Sequence, residues 1–247
     1  MKYFVPDIRL ATELPPQRSV EDKFGGIPWG LKSDDWPKCS DCGHSQSLLA
    51  QLLHDPVRLN LGRAGRVLFV FQCNHDPGMC STWEAGSGAN ACFVLEPEAL
   101  LDQMSSLPAD EPELEHELRV VGWFQREDGL PESLVPSFFD DDKYFALPEE
   151  TLDSVSGITR LGGVPAWIQN PSEAPGPRWR FVGQLSCYHS FFVPPATEES
   201  WIWTDPDRGA GRTHCAAGPN FGDDGTAYLF LRDASPVPEG RLFWQCG

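Results

Sequence analysis

An ordered internal repeat constrains this chain more than any other feature. The first half reads Lys23-Phe24-Gly25-Gly26-Ile27-Pro28-Trp29, then Leu48-Leu49-Ala50-Gln51-Leu52, then Val67-Leu68-Phe69-Val70-Phe71. The second half reads Arg160-Leu161-Gly162-Gly163-Val164-Pro165-Ala166-Trp167, then Phe181-Val182-Gly183-Gln184-Leu185, then Ala227-Tyr228-Leu229-Phe230-Leu231. Each half supplies a basic residue, an apolar one, a Gly-Gly-x-Pro turn with a nearby Trp, a run ending in Gln-Leu, and an apolar strand. In such a turn glycine permits positive φ, proline fixes the exit direction, and tryptophan packs back on the core. No lysine and helix start follow as in a phosphate-cradling loop, so that use is disfavoured. The repeat predicts a single domain over 1–247 with pseudo-equivalent halves, about 14–125 and 150–247, around one core. Gln51 and Gln184 should then take corresponding places.

Segments rich in β-branched and aromatic residues predict strands at Arg66 to Cys73, Asn90 to Leu95, Leu118 to Phe124, Arg178 to Leu185, Thr226 to Arg232 and Arg241 to Cys246. Ser47 to Leu53 fits helix or strand by pattern, and its likeness to Arg180 to Leu185 favours strand. Short helices are expected at Glu96 to Ser105 and Pro148 to Val155, which open on acidic residues near a proline. Leu107 to Glu117 and Asp140-Asp141-Asp142 read as exposed connections. Strands mixed with short helices in this way predict an α+β class, strand-rich and internally duplicated, rather than regular βαβ winding.

Charge narrows the partners. Thirty-six acidic residues against 19 basic ones give a formal net charge of −17. Such a field repels phosphate backbones, so nucleic acid is a poor partner, and it steers basic proteins inward. The same acidity also serves solubility alone. No stretch approaches the roughly 20 consecutive apolar residues that span a bilayer. Met1-Lys2-Tyr3-Phe4-Val5-Pro6 has no apolar leader core, so a cytoplasmic location without membrane association is expected.

Eight cysteines in a reducing compartment point to metal before disulfides. Cys39-Ser40-Asp41-Cys42 follows Trp36-Pro37 and forms a CxxC turn, which places two thiolates on one small knuckle. Cys73 and Cys80 follow the Val67 to Phe71 strand and can close a tetrahedron from the next loop. Zinc is the metal that thiolate tetrahedra select, and a site with four protein ligands is structural. His44 or His75 could replace one thiolate. Against this stands the plain packing of four small buried thiols.

A second group comprises Cys187-Tyr188-His189, His214-Cys215 and Cys246. It offers a second metal site or a Cys/His nucleophile pair for a hydrolase built on Cys187, His189 and His214. Adjacent strand residues point to opposite faces, which favours buried thiols with locally bonded histidines instead. Nine tryptophans serve mostly as core anchors, although Trp201 and Trp203 would share a strand face and could anchor a partner. No GxSxG, Walker, HExxH or dinucleotide fingerprint is present, so no catalytic or cofactor-binding residue is assigned.

The Lys23 to Trp29 turn, Trp36-Pro37-x-Cys39-x2-Cys42, Leu48 to Leu52, Leu68 to Cys73 and Cys80 resemble the bacterial YwqG-like family, a domain of unknown function. Arg160 to Gln169, Arg178 to Leu185, Gly225 to Leu231 and Arg241 to Cys246 are similar to that family's second half, so the resemblance spans roughly Leu14 to Gly247. Some members are immunity proteins that neutralise toxins. Lys23 to Cys80 also resembles the N-terminal part of programmed cell death protein 2, whose family chaperones a basic ribosomal protein. Both likenesses imply a binding role for a basic partner, as chaperone or antitoxin.

Overall fold

The computed structural model describes residues 1–192, 202–204, 212–215 and 218–247, the side chains at 192, 203–204 and 212–215 excepted. In chain order its strands are β1 (Lys2–Leu10), β2 (Lys23–Phe24), β3 (Ser47–Leu53), β4 (Val67–Gln72), β5 (Asn90–Leu95), β6 (Leu118–Glu127), β7 (Arg160–Gly162), β8 (Arg180–Ser186), β9 (His189–Phe192), β10 (Ile202–Thr204), β11 (Arg212–Cys215), β12 (Thr226–Arg232) and β13 (Glu239–Gln245). Ten of these close an antiparallel barrel in the order β1-β6-β2-β3-β4-β5-β13-β12-β8-β7, and β10-β11-β9 form a separate small sheet.

The α+β expectation is thereby corrected: the fold is a closed β-barrel. The reason lies in the strands themselves. All six residues of β4 are buried, although a barrel strand has an inner and an outer face. Leu68 and Val70 point into the barrel core, with Leu229, Leu231 and Leu242 from the opposite side. Val67, Phe69 and Phe71 point outward under Leu31, Trp36 and Leu100. Likewise Tyr228, Phe230 and Phe243 lie outside the barrel beneath Phe138, Tyr144, Val155 and Trp167. Runs buried on both faces look as if helices must cover them, but here connecting turns do most of the covering.

Helical structure among the described residues is correspondingly slight. The expected helix at Glu96 to Ser105 is a three-residue 3-10 turn, Pro97–Ala99, after which Leu101 N donates to Gly30 O at 2.8 Å. Near Pro148 to Val155 there is one short helix, Glu149–Asp153. Asp140 caps another, Asp141–Phe145, by accepting from Lys143 N at 3.2 Å, so the acidic triplet begins a helix.

The two Gly-Gly-x-Pro turns are built alike. Lys23 on β2 stands opposite Gln51 on β3, and Arg160 on β7 stands opposite Gln184 on β8. Gln51 Oε1 accepts from Trp29 N at 2.7 Å, and Gln184 Oε1 accepts from Ala166 N at 3.0 Å. Gly25 and Gly26 have φ of 63° and 67°, and Gly162 and Gly163 have 78° and 71°, which only glycine adopts at low cost. A Cβ on Gly25 would also meet His116 O at 2.3 Å.

Candidate metal centre

The barrel presents two loops side by side. One leaves the 3-10 turn Ser33–Asp35 and leads into β3, and the other leaves β4 and leads into β5. The first folds as a knuckle because Trp36 is buried and donates from Nε1 to Gln46 O at 2.8 Å. Within it Cys39 N donates to His44 O and Gly43 N to Cys39 O, both at 2.8 Å, with Gly43 at φ 77°. The second loop is held by Cys73 N donating to Ala89 O at 2.9 Å. Ser40 N donates to Gly88 O at 3.0 Å and Gln46 Nε2 to the same oxygen at 2.9 Å, which fixes one loop to the other.

This arrangement brings the four sulfurs of Cys39, Cys42, Cys73 and Cys80 within 4.8 Å of one another. Cys42 Sγ lies 3.5 Å from Cys73 Sγ, and Cys73 Sγ lies 3.8 Å from Cys80 Sγ. A tetrahedron of thiolates at the usual ~2.3 Å zinc–sulfur distance has sulfur–sulfur edges of about 3.8 Å, so the donor set fits a tetrahedral metal. Cys39, Cys73 and Cys80 are at most 2% exposed, and Cys42 faces solvent in part. A tetrahedral ion held by the four would have all its positions filled by protein.

Electrostatics distinguish the four thiols. Burial opposes ionisation of Cys42, but hydrogen bonds from the His44 backbone and side chain and from the Cys73 and Cys39 thiols outweigh it and bring Cys42 to about 7. Burial raises Cys73 to about 11, helped by Cys42 and Cys39 and opposed by the His75 backbone. Cys80 is raised as well, first by burial and then by its three sulfur neighbours. A bound cation would favour the thiolate form of all four. His44 and His75 stack on each other, centroids 3.3 Å apart and planes at 13°, and neither belongs to the ligating group.

Sequence reasoning missed the strap around this centre. Leu107 to Glu117 reads as an exposed connection, yet Asp110 accepts from Ser45 N at 2.7 Å and from Ser45 Oγ at 2.8 Å. Those bonds hold the Asp110 carboxyl below the usual range. Glu115 Oε1 accepts from Asn74 Nδ2 at 2.6 Å, next to Cys73. Burial nevertheless raises Glu115 to about 7. The acidic spacing alone carried no sign of these contacts.

The second cysteine group is arranged differently. Cys187 is buried in the barrel core, and burial raises its thiol to about 11. Burial also lowers His189 to about 4, and its Nδ1 has no hydrogen-bond partner among the described residues. Cys187 makes no hydrogen bond to His189 among the described residues, so that pair does not show the thiol–base contact a nucleophile uses. β11 sets His214 opposite Ser190 and Cys215 opposite His189, but the side chains of His214 and Cys215 lie outside the described residues. So do Trp201 and the Trp203 side chain, named above as possible partner anchors.

Fold and site together define an antiparallel barrel with a four-cysteine knuckle strapped to its side. No family model matches the chain, and no curated protein matches it. No helix among the described residues is long and apolar enough to cross a membrane.

Proposed function

We propose that the chain is a protein-binding module in which a structural zinc ion on Cys39, Cys42, Cys73 and Cys80 holds a recognition edge for a basic protein. The convergence of the four sulfurs within 4.8 Å carries the reading. Zinc suits an all-thiolate tetrahedron better than harder cations do, and a filled coordination shell assigns it to scaffolding rather than chemistry. The ion would supply the positive charge that lets the buried Cys73 and Cys80 ionise.

The groove beside the knuckle supports a basic partner. Asp34, Lys38, His44 and Asp110 line it together with Cys42, and Asp35, Glu111 and Glu113 stand exposed nearby in sequence. In a chain of net charge −17 this rim attracts cationic surface. A YwqG-like chaperone or immunity role, carried out in the cytoplasm, is the form of binding this reading favours.

The intact, metal-loaded chain should capture a basic protein from a lysate of its source cells. Capture should fade as ionic strength rises, because charge steering is screened over ~8 Å at physiological salt. A captured partner held equally at low and high salt would contradict the electrostatic half of the reading.

A further inference from the structure

The barrel wall is thin beside β1. β7 pairs with β1 at Tyr3 and Phe4 alone, whereas β6 follows β1 from Lys2 to Leu10. From Val5 onward, the β1 edge away from β6 has no ladder partner among the described residues. A cavity of about 510 Å³ opens at that gap, between β1 and the start of β9. Its size falls within the roughly 300–1,000 Å³ typical of small-molecule sites.

The chemistry of the lining is mixed in an orderly way. Ile8, Phe124 and Ile158 supply apolar wall, and His189 reaches the cavity from the barrel side. His189 is 3% exposed, its ring centroid lies 5.0 Å from that of Phe24, and its Nδ1 has no hydrogen-bond partner among the described residues. Burial lowers the imidazole to about 4, so the ring is neutral at physiological pH. Buried ring nitrogens are normally satisfied, and an orphaned one at a cavity points to a group that arrives from outside.

Charge narrows the class of that group. Arg9 pairs with Asp7 at 3.1 Å. Arg126 lies with its guanidinium 5.9 Å from the Phe124 ring and has no carboxylate partner among the described residues. Among the described lining residues, Arg126 therefore offers a guanidinium with no carboxylate against it. A cationic ligand would meet Arg126 directly.

We propose that this cavity binds a small organic acid, its anionic head against Arg126 and its apolar body between Ile8, Phe124 and Ile158, with His189 hydrogen-bonded to the bound molecule. The site is separate from the cysteine knuckle and does not depend on the metal.

Calorimetry on the intact chain with phenylacetate and hexanoate, with phenylacetamide as the uncharged control, tests this directly. The acids should bind saturably, and the amide at least tenfold more weakly. Imidazole NMR signals of His189 should shift on titration with the acids. Arg126→Gln, at an exposed position, should weaken phenylacetate about tenfold, leave the amide unchanged and preserve the unfolding temperature. Ile158→Trp should fill the cavity and abolish binding of both. Absence of binding at about 10 mM acid, a concentration that detects even millimolar affinity, would overturn the proposal. Equal affinity for acid and amide, or full binding by the Arg126→Gln chain, would do the same.

Discussion

Lys23 stands opposite Gln51 in the barrel wall, and both side chains are fully buried. The ammonium of Lys23 donates to Ile27 O and to Gln17 Oε1 and lies 3.4 Å from Glu117 Oε1. Gln51 meanwhile accepts from Trp29 N at 2.7 Å and donates to Glu21 O at 2.8 Å. Together they brace from within a turn whose backbone also bonds outward, as Gly25 N does to Leu49 O at 3.1 Å. Gln51→Leu keeps the volume but orphans a buried N–H and a buried carbonyl, at about 1–3 kcal/mol each. Denaturant unfolding of this variant should show a loss of about 2–6 kcal/mol. Gln184→Leu should show a loss of similar size, because Gln184 makes the corresponding bonds to Ala166 N and Ile158 O.

Glu115 makes stability depend on pH in a defined direction. Burial raises its carboxyl from 4.5 to about 7, against the opposing hydrogen bond from Asn74. A folded-state value above the unfolded one means the stabilisation is complete below pH 4.5 and is lost as pH rises through 7. Glu115→Gln keeps an acceptor for Asn74 and cannot ionise. Thermal unfolding should therefore find it as stable as the parent near pH 4 and more stable near pH 8. A variant that loses stability at pH 8 would show that the charged carboxylate is favoured there.

Gly88 joins the two cysteine loops. It has φ 83°, and a Cβ there would fall 1.9 Å from Ser40 Oγ and 2.8 Å from Ser40 Cβ. Its carbonyl also accepts from Ser40 N and Gln46 Nε2. Gly88→Ala should cost about 1–3 kcal/mol in strain and weaken metal retention in a competition with a chromophoric chelator. Adding Ser40→Gly removes the clash but leaves the φ penalty, so the double variant should recover part of the loss. No recovery would mean that backbone strain alone sets the cost.

Legibility in the sequence followed the range of the interactions. Asn90–Leu95 and Thr226–Arg232 are strands at the bounds that their β-branched and aromatic residues suggest, and Ser47–Leu53 is a strand as its Gln-Leu ending indicates. β1 was not legible, because Pro6 normally demotes a strand; here it sits on an edge that asks for no donor. β2 and β7 are two and three residues long, too short for any periodicity. Barrel closure depends on those two short strands and on the β1–β6 pairing, so the class was misread even where single strands were not. At the candidate site, CxxC spacing marked Cys39 and Cys42, and the end of an apolar strand marked Cys73. The contacts of Asp110 with Ser45 and of Glu115 with Asn74 span 65 and 41 residues, and no local pattern encodes them.

The account rests most heavily on the metal, and metal analysis of the chain, purified without chelators or added metal, tests it most directly. Native mass spectrometry with elemental analysis should find one zinc per chain in the parent and little in Cys42→Ser or Cys80→Ser. Removal of the zinc should lower the unfolding temperature, and readdition should restore it. A folded parent with no zinc that gains no stability from added zinc would contradict the account, as would full zinc retention in both serine variants.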